Sequence, residues 1–549
     1  MFNKDKVPAV TQRLPLGTVI SGSLAEGLIM RISPSVPLES IKTGKFVSIV
    51  TQNYKFFSLI TDLKLEVSHP DILLFPPTEQ EPLLKRALAT KDIYATATLR
   101  PMVMLNAKNQ ALPVKTVPPH FSPIFDAREE DISAIFGSES DPTKRFFAIG
   151  SPIDMQAPLC LDLERATERS NGIFGKTGTG KTFLTRLVLA GLIKNNKAAC
   201  LIFDMHSEYG LQARKEGNNE AFVKGLKTLF PNKVAIFSLD PQSTQRRGGS
   251  ADMAITIPYQ AVSVDDIISL QEELHLHSTA YEAAYLIAAK YKRDWLGTLL
   301  TCGERLKDLA QEVGAHPESV AALYRKLKQI ERLPFFVKQT VQERKDGYEH
   351  DDVLERMMEY ISQGTSIIVE FGNYTSTFCY LLIANMLTRR IHQLYIQKTE
   401  KFLGSHRKQD EPQKLMIVIE EAHKFLNPQA ARQTIFGTIA REMRKYYVSL
   451  LVVDQRPSGI DPEILSQIGT KIIAQLNDEK DIQAVLTGAN NAQHLRSVLA
   501  SLDSKKQVLL LGHAITMPIV IETRSYDEAF YAAMTKQNEN IDTLINQLY

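Results

Sequence analysis

One run of residues, Gly175-Lys176-Thr177-Gly178-Thr179-Gly180-Lys181-Thr182, holds the residue types that phosphate chemistry demands. It fits the pattern G-x-x-x-x-G-K-[ST]. Its glycines allow a tight turn in which backbone N–H groups point inward at phosphate oxygens. Lys181 supplies a point charge for the β- and γ-phosphates, and Thr182 offers a hydroxyl to Mg²⁺. A Gly/Thr-rich surface turn is the plain alternative, but such a turn has no need of Lys-Thr ahead of an apolar helical run. Phe183 follows directly and is counted, with all the loop residues, as nucleotide-contacting.

Hydrolysis needs a second, acidic site near the γ-phosphate. Leu415-Met416-Ile417-Val418-Ile419-Glu420-Glu421-Ala422-His423 supplies it: an apolar strand feeding two carboxylates, the Walker B arrangement. Glu420 is expected to hold hydrated Mg²⁺, and Glu421 to orient and activate the attacking water. Most such motifs place Asp first, and Glu420 is one methylene longer. In Asp204-Met205-His206-Ser207-Glu208-Tyr209, Asp204 and Glu208 are candidates to face the nucleotide; a helix-capping Asp204 is the alternative. In Asp454-Gln455-Arg456-Pro457, the Gln455 amide is a candidate γ-phosphate sensor, against a simple turn before proline. Arg441 and Arg444 are three apart on one helix face and are candidates to reach a neighbouring subunit's nucleotide. Taken singly, a helical arginine is more often a salt-bridged surface residue. Arg246-Arg247-Gly248-Gly249 is a basic loop that suits either a DNA phosphate contact or a solvated turn. His275 and His277 beside Glu272 and Glu273 do not form a metal site, because i and i+2 diverge on a helix.

These groups must be carried by ordered elements. Ala199–Asp204, Leu415–Glu420 and Val448–Asp454 are continuous apolar runs of strand length, each ending on an acid, with helical patterns between them. That alternation predicts a parallel α/β sheet with chemistry at the strands' carboxyl ends. Short β-branched and aromatic runs at 16–23, 27–32, 46–51, 55–61, 94–99 and 101–105 predict a small antiparallel barrel. Pro113 to Pro123 reads as a linker, and Phe146–Gly150 as the opening of the nucleotide domain. The expected layout is a barrel at 1–120 and a linker with a short helix at 121–145. A RecA-like α/β P-loop core follows at 146–214 and 361–526, with a mainly helical insertion at 215–360 and a C-terminal helix at 527–549.

A chain of 549 residues forms more than one domain. Its net charge of +2 means that any nucleic-acid contact comes from local basic loops. Cys160, Cys200, Cys302 and Cys379 form no C-x-x-C pair and no zinc spacing, which suits reduced thiols in the cytoplasm. No apolar run approaches the roughly 18 residues that span a bilayer, and Met1–Lys6 lacks a signal peptide's apolar core. A cytoplasmic protein without membrane attachment is expected.

Five segments together resemble the HerA family of hexameric DNA translocases, in the HerA–FtsK superfamily. They are 175–182, Phe203–Tyr209, Ile419–Phe425, Ala440–Lys445 and Val453–Ser458, and Leu16–Gly22 is similar to the start of that family's β-barrel. The resemblance implies an ATP- and Mg²⁺-driven homo-hexamer around double-stranded DNA. It also implies a partner: a NurA-like nuclease, or another effector such as a Sir2-like NAD-consuming enzyme, in DNA end processing or antiviral defence. The competing reading is an ATP-regulated scaffold ring that controls an effector with little translocation.

Overall fold

The computed structural model describes residues 14–535 except 70, 75–91, 154, 216–217, 339–352, 433, 443–444, 489–491, 501 and 503–505. The N-terminal alternation of apolar and polar residues produces β1 (Gly17–Ser23), β2 (Gly27–Ile32), β3 (Phe46–Val50), β4 (Lys55–Val67), β5 (Ile93–Leu105), β6 (Ala111–Leu112) and β7 (Pro123–Asp126). They run in the order β2-β1-β7-β3-β4-β5, and β2 also pairs with β5, so the ring closes. Closure removes exposed sheet edges. Val19, Met30, Val47, Ile49, Phe56, Ile60, Leu99 and Ile124 fill the interior.

Two expectations about this region change. The runs 94–99 and 101–105 are one strand, with Pro101 opposite Ser58 next to a register shift. An irregularity of that kind tolerates a residue with no N–H. The Pro113–Pro123 stretch is not a linker leaving the barrel. The chain loops back, and β7 pairs antiparallel with both β1 and β3, so the last barrel strand lies beyond residue 120.

The chain divides into two units, Met1–Leu161 with Ile515–Glu522, and Asp162–Ala514 with Thr523–Tyr549. β8 (Phe146–Pro152), expected to open the nucleotide domain, therefore belongs to the first unit; β9 (Leu159–Asp162) follows it. The second unit contains β10 (Asn171–Phe174), β11 (Ala199–Asp204), the hairpin β12 (Gln212–Lys215) and β13 (Asn218–Lys224), then β14 (Val234–Ser238) and β15 (Met253–Ala254). After these come the paired β16 (Ile257–Pro258) and β17 (Phe336–Val337), then β18 (Ser366–Glu370), β19 (Leu415–Glu420), β20 (Val448–Asp454), β21 (Thr470–Ile473) and β22 (Gln507–Gly512). Its main sheet runs β15-β14-β18-β11-β19-β20-β10-β21-β22. All neighbours pair parallel until β22, which is antiparallel to β21. The strands from β14 to β20 are almost wholly buried, as sheets covered on both faces are.

β14 corrects the expected insertion. Residues 234–238 rejoin the main sheet beside β18, so the helical part begins only after β15 and β16. Its helices include Val264–Ile268, Ser278–Tyr291, Trp295–Cys302 and Pro317–Leu327. The core also carries the long helix Thr377–Ser405. Arg389 on that helix donates to Asp266 at 3.0 and 2.8 Å and to Ser263 at 2.7 Å, fastening the insertion's first helix.

Lys471 in β21 is 3% exposed, yet it is charged in an ordinary setting. Its Nζ donates to the carbonyls of Val485 (2.9 Å) and Thr487 (3.2 Å), which close the helix Glu479–Leu486. Burial pushes its ammonium down to about 8, whereas a free lysine keeps its proton to about 10.4. Between those pH values the unfolded chain binds more protons, so stability rises with pH by up to about 1.4 kcal/mol per unit. Lys471→Met lacks this gain. The difference in unfolding free energy between wild type and variant should shift toward wild type by about 1–3 kcal/mol from pH 8 to 10. Denaturant titrations at both pH values check it, and a constant difference contradicts it.

Candidate active site

The loop between β10 and the helix Lys181–Lys194 turns through Gly178 (φ +81°) and Gly180 (φ +82°), a backbone region costly for residues with a Cβ. It is pinned on both sides. Gly175 N donates to the Asp454 carbonyl (3.3 Å) and Lys176 N to the Gln475 carbonyl (3.0 Å). Lys181 Nζ donates to the Lys176 carbonyl (3.0 Å), and Thr179 Oγ1 to the same oxygen (2.8 Å). The loop's amides thus open at a helix N-terminus, the natural seat for phosphate.

β20 lies between β10 and β19. With strands about 4.8 Å apart, the Walker B carboxylates stand roughly 10 Å from the P-loop strand, leaving room for a phosphate and a water. Thr182 Oγ1 donates to Glu208 Oε2 (2.9 Å), and Tyr209 OH to Glu420 Oε1 (2.7 Å). The buried Tyr380 brackets Glu420 as well: its hydroxyl donates to the Glu420 carbonyl and accepts from the Glu420 N–H, both at 3.2 Å. Glu421 follows with φ +48°, a left-handed strain of the kind found at functional positions. Gln455 Nε2 donates to both Glu421 oxygens (3.0 and 3.2 Å), while Thr177 Oγ1 donates to Gln455 Oε1 (2.6 Å). P-loop, sensor amide and base candidate therefore form one hydrogen-bonded chain.

Electrostatics follow from packing acids at strand ends. Desolvation pushes the Glu420 carboxyl up to about 8, and the charges of Asp204, Glu208 and Glu421 add to this against the Tyr209 hydroxyl bond. Burial likewise pushes Asp204 up to about 7. A cation between these oxygens would favour their ionised forms. Thr182 and Glu420 offer hard oxygen donors, the kind that suits Mg²⁺.

Several of the candidate residues have partners within the chain. Asp204 accepts Glu208 N (2.8 Å) and Tyr209 N (2.9 Å), so it caps the turn that presents Glu208. Arg247 Nη2 lies 2.6 Å from the buried Glu370 Oε2, and both Arg246 and Arg247 remain exposed. Arg441 Nη1 donates to the Ala431 carbonyl (3.2 Å), and its Nε lies 3.5 Å from Glu463, so it does not reach its own chain's P-loop. Arg444 lies outside the described residues. Phe183 packs edge-on against Tyr526, with centroids 6.2 Å apart. Three contributors were missed. Glu370 ends β18 beside Asp204. Tyr209 holds Glu420. His423 Nδ1 lies 3.0 Å from Asp454 and 3.6 Å from Glu421, and the Asp454 bond raises its pKa. The strand-end position of Glu370 was the available signal.

This fold and site define a P-loop ATPase in which a glutamate just past one strand is held by a glutamine just past the next. The family described as Helicase HerA, central domain, matches residues 147–391, and the HAS barrel domain matches residues 16–117. A DNA double-strand break repair helicase HerA of Sulfurisphaera tokodaii is 24% identical over 516 residues, covering 89% of this chain and 90% of that protein. Its namesake from Saccharolobus solfataricus is 23% identical over 527 residues, covering 93% and 92%. Among solved structures, VirB4 of Thermoanaerobacter pseudethanolicus has a TM-score of 0.45 at 16% identity, covering 69% of this chain and 96% of that one. The chain is an ATP-hydrolysing enzyme that is similar to HerA-type ATPases over most of its length.

Glu421→Gln keeps the shape and loses the base. ATP should still bind while turnover falls about 10²–10⁴-fold. Lys181→Ala should weaken nucleotide binding itself. Parallel measurements of ATP binding and phosphate release check both, and near wild-type turnover in Glu421→Gln rules out its role.

Proposed function

We propose that the chain is an ATP-driven translocase and helicase on double-stranded DNA, working as a homo-hexamer with an effector partner. The observation that carries this reading is the match over most of the chain to proteins named as DNA double-strand break repair helicases, joined to a site built for hydrolysis. Mg²⁺ would be held by Thr182 Oγ1 and Glu420, and when bound would neutralise phosphate charge. Around it Tyr209 fixes Glu420, Gln455 orients Glu421, and Lys181 meets the phosphates. The setting proposed is DNA end processing or antiviral defence in the cytoplasm. Among the described residues, no helix is long and apolar enough to cross a membrane. The effector, a NurA-like nuclease or another defence enzyme such as a Sir2-like one, is proposed to dock on the N-terminal barrel, whose Leu65 is 78% exposed.

Duplex DNA should raise the ATPase rate, and binding should weaken steeply with salt, because phosphate contacts release counterions. ATPase assays with and without duplex across a salt series check this. No stimulation would favour the scaffold ring.

An arginine at the γ-phosphate can raise turnover roughly 10³–10⁵-fold. The proposed source is Arg444 of the adjacent subunit, with Arg441 as its substitute. Arg444→Ala should retain ATP binding and lose hydrolysis. Mixed with Lys181→Ala subunits, it should regain partial activity at interfaces where an intact loop meets an intact arginine. No recovery after subunit exchange would remove the trans arginine.

A further inference from the structure

We propose that Thr177 is a positioning residue for hydrolysis: its hydroxyl acts through Gln455 to hold the Glu421 carboxylate, and does not serve phosphate. The proposal rests on Glu421 being the water-activating base. An ionised carboxylate only accepts hydrogen bonds, so the Gln455 NH₂ must face Glu421 and its carbonyl oxygen must face Thr177. That carbonyl cannot donate, so the single Thr177 proton is spent on it, at 2.6 Å. No proton remains for a phosphate oxygen, and the loop's phosphate contacts fall to its backbone amides and Lys181.

The geometry makes this bridge useful. Gln455 follows β20 directly, and Asp454 is in register with Phe174, the residue before the P-loop. Both ends of the bridge thus rise from adjacent strands, and the Gly175–Asp454 backbone bond at 3.3 Å ties them together. Glu421 needs an external hold because its backbone is in the left-handed region just past its strand. The nearby His423 is committed to Asp454 at 3.0 Å and stands 3.6 Å from Glu421, whereas the Gln455 amide is at 3.0 and 3.2 Å. A planar amide that touches the loop with its oxygen and the base with its nitrogen sets the spacing between the two.

The test is a double-mutant cycle on the full chain, reading kcat and KM for MgATP. Thr177→Val removes the donor at near-constant volume. It should lower kcat about 3- to 10-fold, the effect of one lost hydrogen bond, with KM unchanged. Thr177→Ser should restore kcat. Gln455→Ala should lower kcat at least as much, and adding Thr177→Val to it should cost nothing further. Thr177 is exposed, so the unfolding temperature should not move, which separates the effect from misfolding. A raised KM with unchanged kcat would make Thr177 a nucleotide contact and overturn the proposal. So would losses that multiply in the double variant, or wild-type kcat in either single one. Glu421→Gln is measured alongside. If it retains turnover, the assignment of the base has failed; if it collapses while Thr177→Val stays at wild-type kcat, only the positioning role has.

Discussion

Four neighbouring strands of one buried sheet each end in a carboxylate: Glu370 on β18, Asp204 on β11, Glu420 on β19 and Asp454 on β20. Strand spacing brings successive ends within about 5 Å laterally, and like charges held so close destabilise one another unless each finds a partner. The site is the set of solutions to that constraint. Glu370 takes a guanidinium and the Thr244 hydroxyl, Asp204 two backbone N–H groups, Glu420 a phenol, and Asp454 an imidazole with two N–H groups. Burial pushes Asp204 and Glu420 up to about 7 and about 8, and the neighbouring acids add to the shift.

Further buried contacts link the site to the phosphate loop. Arg186, 1% exposed, donates to the Glu208 carbonyl from the P-loop helix, and its guanidinium lies 5.4 Å from the Phe183 ring. The turn carrying Glu208 and Tyr209 is therefore tied to the helix that follows the phosphate loop, and through Tyr209 to Glu420. One buried arginine and one phenol thus connect the loop's helix to the second carboxylate site, groups whose removal would leave buried polar atoms unpaired.

The insertion is joined to the same machinery. Asn385, on the long helix Thr377–Ser405, donates to Ser269 Oγ in the insertion (2.7 Å) and accepts from Ile435 N at the start of the helix bearing Arg441 (3.3 Å). One buried amide thus spans the insertion and the arginine helix. Its burial makes each bond costly to leave unmade.

The chemistry was legible in the sequence because it depends on residue type and local spacing. The 175–182 loop, the Glu420-Glu421 pair after an apolar run, and Gln455 after Asp454 all stand at strand ends in the structure, as periodicity predicts. The barrel was legible too, since alternation marks strands wherever one face is buried. Tertiary structure alone decided partner choice. Asp204 caps a turn because its strand end is fully buried and backbone N–H groups are nearest. Arg247, still exposed, pairs with Glu370, a residue 123 positions away. β7 and β14 are short strands whose membership in a sheet is set by edges formed by distant segments. Local pattern tells a residue what it can do. Which neighbour it does it with depends on contacts between residues far apart in the chain, and no window of sequence contains both partners.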